Sequence, residues 1–127
     1  MQANIEHGLL EGSCHCGNVR MAIPHRPIYV IKCNCSICIR LGALWAQYEA
    51  GSVKFEGHPQ NTSTYVWGKE TLRTIRCSHC GTVTHWEAIL PEAGAGIGVN
   101  INNFHQKLIL ATPVRHFDGA QSWAYLD

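Results

Sequence analysis

Apolar and polar residues alternate over short stretches along most of this chain. Each stretch stops at glycine, proline or asparagine, the pattern of half-buried β-strands. The pattern predicts strands over residues 19–23, ending at Pro24, and 28–31. Further strands are expected over 43–48 and 52–55, on either side of Gly51. Residues 62–67 and 71–76 surround Gly68, Lys69 and Glu70 and read as a hairpin running into Cys77. Residues 82–87 leave from Cys80, and 97–101 follow a flexible glycine-rich turn at 92–98. Only 36–41 reads as helix, one turn with Ser36 as N-cap and Gly42 as the stop. The expectation is a mostly β chain, with residues 1–127 as a single domain.

Cysteines punctuate this pattern at strand ends. All seven fall in three clusters: Cys14-His15-Cys16, Cys33-Asn34-Cys35-Ser36-Ile37-Cys38 and Cys77-Ser78-His79-Cys80. An odd number cannot pair off completely, and Cys-x-Cys neighbours are poorly placed to bridge each other, so a disulfide scaffold is disfavoured. Cysteines two or three positions apart across a sharp turn can aim both sulfurs at one point, the arrangement that tetrahedral zinc needs. The N-terminus lacks a signal-peptide pattern and no stretch approaches the ~20 apolar residues of a membrane span. A reducing, cytoplasmic setting is therefore expected, in which clustered thiols serve metals or redox chemistry.

Gly17 and Gly81 directly follow the second sulfur of their clusters. Glycine there permits a left-handed turn that points backbone N–H groups at the thiolates. These two matched knuckles group Cys14, Cys16, Cys77 and Cys80 as a structural four-thiolate site. One ion would staple the first strand to the central hairpin. Cys33, Cys35 and Cys38 come from one loop and can fill three vertices of a tetrahedron, leaving the fourth for water or substrate, as in catalytic zinc sites. Three thiolates on a divalent ion carry net charge −1, which suits binding a fourth sulfur better than activating water. Closure of this site by His15, His79 or a more distant histidine is the alternative.

Hydrophobic residues make up 46% and charged ones 15% of the chain, so a packed core is expected rather than disorder. With net charge +1 and scattered basic residues, no nucleic-acid-binding stripe is expected. His85 reads as a partly buried, hydrogen-bonded strand residue, and His105 and His116 carry no motif. Arg40, Arg73 and Arg76 lie close to a cluster, and Arg40, two residues past Cys38, is the candidate anchor for a substrate carboxylate.

The runs Gly12-Ser13-Cys14-His15-Cys16-Gly17-Asn18-Val19-Arg20, Cys33-Asn34-Cys35-Ser36-Ile37-Cys38-Ile39-Arg40 and Cys77-Ser78-His79-Cys80-Gly81-Thr82 resemble the glutathione-dependent formaldehyde-activating (GFA) enzyme family, also called the centromere protein V-like (CENP-V) domain. Trp67-Gly68-Lys69 and Val114-Arg115-His116-Phe117-Asp118-Gly119, with Trp123, extend the match. The resemblance implies a β-tent fold, small coiled β-sheets packed around zinc knuckles. It implies two zinc ions per chain on the same two cysteine sets, the second site partly occupied. The implied activity is carbon–sulfur lyase-type chemistry on a thiol adduct, the joining of formaldehyde to glutathione. A small thiol is the expected partner, with no nucleic acid and no membrane. The competing reading is a non-catalytic zinc-stabilised binding module. A thiol redox enzyme would need a catalytic cysteine outside the clusters, and the sequence has none.

Overall fold

The structure, a computed structural model, describes residues 8–68, 71–89 and 96–127. The hairpin tip at 69–70 and most of the glycine-rich turn, 92–95, lie outside the described residues. The chain is mostly β. Strands β1 (Glu11–Ser13), β2 (Arg20–Ala22) and β5 (Lys54–Glu56) form a three-stranded antiparallel sheet in the order β1-β2-β5. A second, eight-stranded sheet contains β3 (Val30–Cys33), β4 (Trp45–Glu49), β6 (Thr62–Val66), β7 (Leu72–Cys77), β8 (Val83–Ala88), β9 (Gly96–Asn100), β10 (Val114–Asp118) and β11 (Ala124–Tyr125). Its order is β11-β10-β3-β4-β9-β8-β7-β6, and all pairs are antiparallel except β10 with β3.

The period-2 pattern locates these strands because each has one buried face. Ala46 and Tyr48 of β4 turn into the main core with Val30 of β3, Val99 of β9 and Met21 of β2. Trp45 turns to the opposite face and joins Ile31, Ala43 and Trp86 in a second cluster. The first face closes the gap between the two sheets. The second lies under the loop Cys33–Cys38.

Three expectations change. Helix α1 (Ser36–Leu41) has Cys35, not Ser36, at its N-cap, with no side-chain cap bond. The loop's sulfur-bearing turn therefore runs directly into the helix. Its end matches expectation: Gly42 adopts φ 64° and donates its N–H to Cys38 O. A second helix, α2 (Gln106–Ala111), was not legible in the pattern, because one and a half turns bury only Leu108 completely. It starts with the His105 ring accepting from Lys107 N at 3.0 Å, an uncommon cap. Burying Leu108, worth about 2 kcal/mol, ties it to the core. Strands β1, β10 and β11 likewise lie outside the expected strands. Parallel pairing of β10 with β3, more than eighty positions earlier in the chain, cannot be read from local alternation. No helix among the described residues is long and apolar enough to cross a membrane.

Candidate metal centres

Cys14 follows β1, Cys77 ends β7, and each opens a turn with the same bonding. Cys14 N donates to Val19 O at 2.9 Å and Gly17 N to Cys14 O at 3.1 Å. In the other knuckle Cys77 N donates to Thr82 O, and Gly81 N to Cys77 O, both at 2.9 Å. Gly17 at φ 86° and Gly81 at φ 79° are left-handed, as the sequence predicted. Each turn aims N–H groups at sulfur: Val19 N donates to Cys14 Sγ at 3.3 Å, and His79 N to Cys77 Sγ at 3.4 Å. The first turn belongs to the three-stranded sheet and the second to the eight-stranded one. The four sulfurs thus meet at the junction of the sheets, between the first expected strand and the central hairpin.

Their Sγ atoms all lie within 4.8 Å of one another. Cys14–Cys16 and Cys16–Cys77 are 3.7 and 3.6 Å apart, and all seven cysteines are free thiols. A disulfide would need ~2.05 Å. A tetrahedron with Zn–S of ~2.3 Å has edges of about 3.8 Å, so the donor set fits zinc. The acid–base properties agree. Cys80 is opposed by burial, yet hydrogen bonds from Thr82 and nearby N–H groups bring its thiol down to about 5. Cys16 is favoured as thiolate by Asn18 N–H, but burial and its neighbouring thiols push it up to about 11. Four sulfurs this close cannot all ionise unless a cation sits among them.

Cys33, Cys35 and Cys38 also bring their Sγ atoms within 4.8 Å of one another. Strand β3 delivers Cys33 and α1 carries Cys38. Trp45 Nε1–H donates to Cys38 Sγ at 3.3 Å and Cys35 N to Cys33 Sγ at 3.5 Å. Burial pushes the Cys33 and Cys38 thiols up. Burial also opposes ionisation of Cys35, but N–H and sulfur hydrogen bonds lower it. Among the described residues, no histidine joins this group within that distance, whereas both knuckle histidines, His15 and His79, are exposed.

The three sulfurs line a cavity of about 750 Å³, within the usual range for ligand sites. It lies on the face of the large sheet opposite the main core. Ile31, Trp45, Gln47, Leu72, Thr74, Trp86, Phe117 and Tyr125 project into it from six strands. The sequence reading missed the aromatic walls and the clamp that shapes the cavity. Asn34 Nδ2 donates to Asp118 Oδ1, and Ala120 N to Asn34 Oδ1, both at 3.0 Å. The amide of Asn34, then the hydroxyl and N–H of Ser122, hold the Asp118 carboxyl below its ordinary range. This clamp lays Gly119 against Cys33, where any Cβ would stand 2.6 Å from the sulfur. Gly98 plays a matching part opposite, since the Trp86 indole occupies the space its Cβ would need.

Arg40 is not brought to this cavity. Its Nη1 donates to Ser36 O at 2.8 Å, and it lines a separate groove with Ser13, His15 and Asn102. Arg76 is exposed, and Arg73 Nε binds Glu87 Oε1 at 3.0 Å. His85 is fully buried rather than partly, with Nε2 2.8 Å from Glu87 Oε2, and His58 Nε2 lies 2.7 Å from the same oxygen. Burial keeps His85 below its ordinary value, while the His85 bond and then Arg73 draw the Glu87 carboxyl down to about 2. These ligand atoms lie close enough for a metal, yet Arg73 already places a fixed cation on the carboxylate. The group is a partly buried polar cluster joining β7 and β8 to the segment after β5.

Residues 9–118 match the model of the family described as glutathione-dependent formaldehyde-activating enzyme. A crystal structure of a Rhodobacter sphaeroides protein, a structural genomics target, superposes with a TM-score of 0.66 at 25% identity. The alignment covers 82% of this chain and 98% of that one. No curated protein matches the sequence.

Proposed function

The chain belongs to the glutathione-dependent formaldehyde-activating enzyme family, and from that membership we propose that it is a zinc-dependent carbon–sulfur lyase-type enzyme acting on a thiol–aldehyde adduct at Cys33, Cys35 and Cys38. The observation that carries the reading is that three thiol sulfurs converge in the wall of a cavity large enough for a substrate. Cys14, Cys16, Cys77 and Cys80 hold the other ion and join the sheets. In the reaction R–SH + R′CHO → R–S–CH(OH)R′, the sulfur lone pair forms the C–S bond. The carbonyl π pair moves to oxygen, which takes the thiol proton, and no oxidant is needed. Zinc bound at the three cysteines supplies a positive charge that lowers the substrate thiol's pKa.

The chain's own residues orient and exclude. Trp45 Nε1–H and Cys35 N–H fix two of the sulfurs, and the Asn34–Asp118 clamp holds the loop against Gly119. Aromatic walls keep bulk water from an adduct that dissociates freely to thiol and aldehyde in solution. Exchange NMR between free thiol and its hydroxymethyl adduct tests the proposal. The wild type should accelerate exchange for at least one thiol in a panel that includes glutathione. Cys35→Ser should lose the acceleration while keeping its fold. Exchange at the spontaneous rate for every thiol would leave a non-catalytic zinc module.

A further inference from the structure

The lining of the cavity bears on which thiol enters it. Every tryptophan of the chain lines it: Trp45, Trp67, Trp86 and Trp123. Phe117 meets Trp123 edge-to-face at 5.1 Å and Tyr125 at 5.1 Å, and Ile31 and Leu72 complete the apolar surface. Among the described residues, no Lys, Arg, His, Asp or Glu lines the cavity. Its polar side chains are Ser36, Gln47, Thr71, Thr74 and the cysteines. Two of the described cations nearby are committed elsewhere. Arg40 turns back on its own helix, and Arg115 lies over the Tyr125 ring at 3.8 Å with Nη2 donating to Asp127 O at 2.9 Å.

Resting on the preceding reading of this site, we propose that its substrate is the aldehyde adduct of a small, uncharged, aromatic thiol rather than of glutathione. Glutathione at neutral pH carries two carboxylates and an ammonium. Moving a carboxylate out of water without a cation is strongly unfavourable, and the described lining presents no cation and only neutral donors. A flat apolar group gains on both counts. It buries area against four indoles and adopts the stacked and edge-to-face contacts that aromatic walls favour. The thiol then reaches the only sulfur-rich part of the wall, Cys33, Cys35 and Cys38. The reaction keeps the balance given above, with phenylmethanethiol standing for R–SH: its S–H adds across the aldehyde C=O, and its proton ends on oxygen.

The four indoles make the test direct, because a ligand in the cavity changes tryptophan fluorescence. The zinc-loaded protein is titrated with phenylmethanethiol, glutathione and the thiol-free phenylmethanol, by fluorescence and calorimetry. The expected result is binding of phenylmethanethiol at least tenfold tighter than of either other compound. Trp67 stands at the cavity rim, stacked on Tyr65. Trp67→Ala should weaken phenylmethanethiol about tenfold and leave zinc content, melting temperature and glutathione affinity unchanged. Glutathione binding as tightly as phenylmethanethiol, or absence of phenylmethanethiol binding, overturns the inference. Accelerated exchange with glutathione in that event preserves the catalytic proposal. Conversely, phenylmethanethiol that binds without accelerated exchange sinks the catalytic proposal and leaves the ligand class standing.

Discussion

Cys77→Ser perturbs the junction of the two sheets. Cys77 is completely buried, and its Sγ is 3.6 Å from that of Cys16, 61 positions away in sequence. Around it the apolar cluster is small, Cys14, Val19 and Cys77 with Cys80 packed against them. Asn61 bridges the two turns, donating Nδ2 to Asn18 O at 3.2 Å and accepting from Ser78 N at 2.8 Å, and a zinc ion on the four sulfurs would be the main further link. A lower bound on the loss comes from loop closure. Treating the site as a cross-link around a loop of that length gives about 4 kcal/mol from the chain-entropy relation. Structural zinc in small domains contributes ~10–16 kcal/mol, as much as or more than a typical domain's whole margin of ~5–15 kcal/mol. The variant should therefore be insoluble, or lack a cooperative urea transition. Cys35→Ser is the control, because its three-sulfur loop links no distant strands. It should keep a cooperative transition within ~2 kcal/mol of wild type while zinc drops from two ions per chain to one. A Cys77→Ser protein that melts like wild type would refute the reasoning, as would a Cys35→Ser protein that unfolds.

Gly119→Ala should cost the second ion rather than the fold, because the added methyl meets Cys33 Sγ at 2.6 Å. Zinc analysis should give nearer one ion than two at an unchanged circular dichroism spectrum. Gly98→Ala forces the Trp86 indole aside, and overpacking of this kind costs ~1–3 kcal/mol. A shifted tryptophan emission and a lower urea midpoint would register it. Glu87 is held at about 2 against an ordinary 4.5, a depressed value, so its contribution is full above pH 4.5 and lost as pH falls towards 2. That shift corresponds to about 3 kcal/mol for a side chain 22% exposed. The stability gap between wild type and Glu87→Gln should therefore be about 3 kcal/mol at pH 7 and close near pH 2. A gap independent of pH would show that the carboxylate charge is not what holds the cluster.

The mostly β architecture, the approximate positions of eight strands and helix α1 were legible because each depends on local signals. Strand β4 announces itself by Ala46 and Tyr48 falling on one face, and α1 by Gly42 at its end. The sorting of sulfurs into four and three was also legible, since the spacing within Cys14–Cys16 and Cys77–Cys80 and the glycine after each fix the turn. Helix α2 escaped because a single buried leucine sets no period. Arg40 was expected beside the cavity from its closeness to Cys38. On α1 it instead reaches back one turn to Ser36 O and opens onto another groove.

By itself, the sequence determined which residues can hold metal and which stretches become strands, because ligand spacing and period-2 burial are properties of a few neighbouring residues. Only the tertiary structure decided what surrounds the three-cysteine loop. Trp45, Trp67, Trp86 and Trp123 are scattered through the chain, and nothing in the residues around any of them says that they meet. They converge because β3 pairs with β4 on one side and, in parallel, with β10 on the other, while β8 returns beside β9 with Gly98 leaving room for the Trp86 indole. The same long-range pairings set Asn34 against Asp118, 84 positions away. Strand order and register between distant segments depend on how the whole core packs, and that is why the character of the cavity could not be read along the chain.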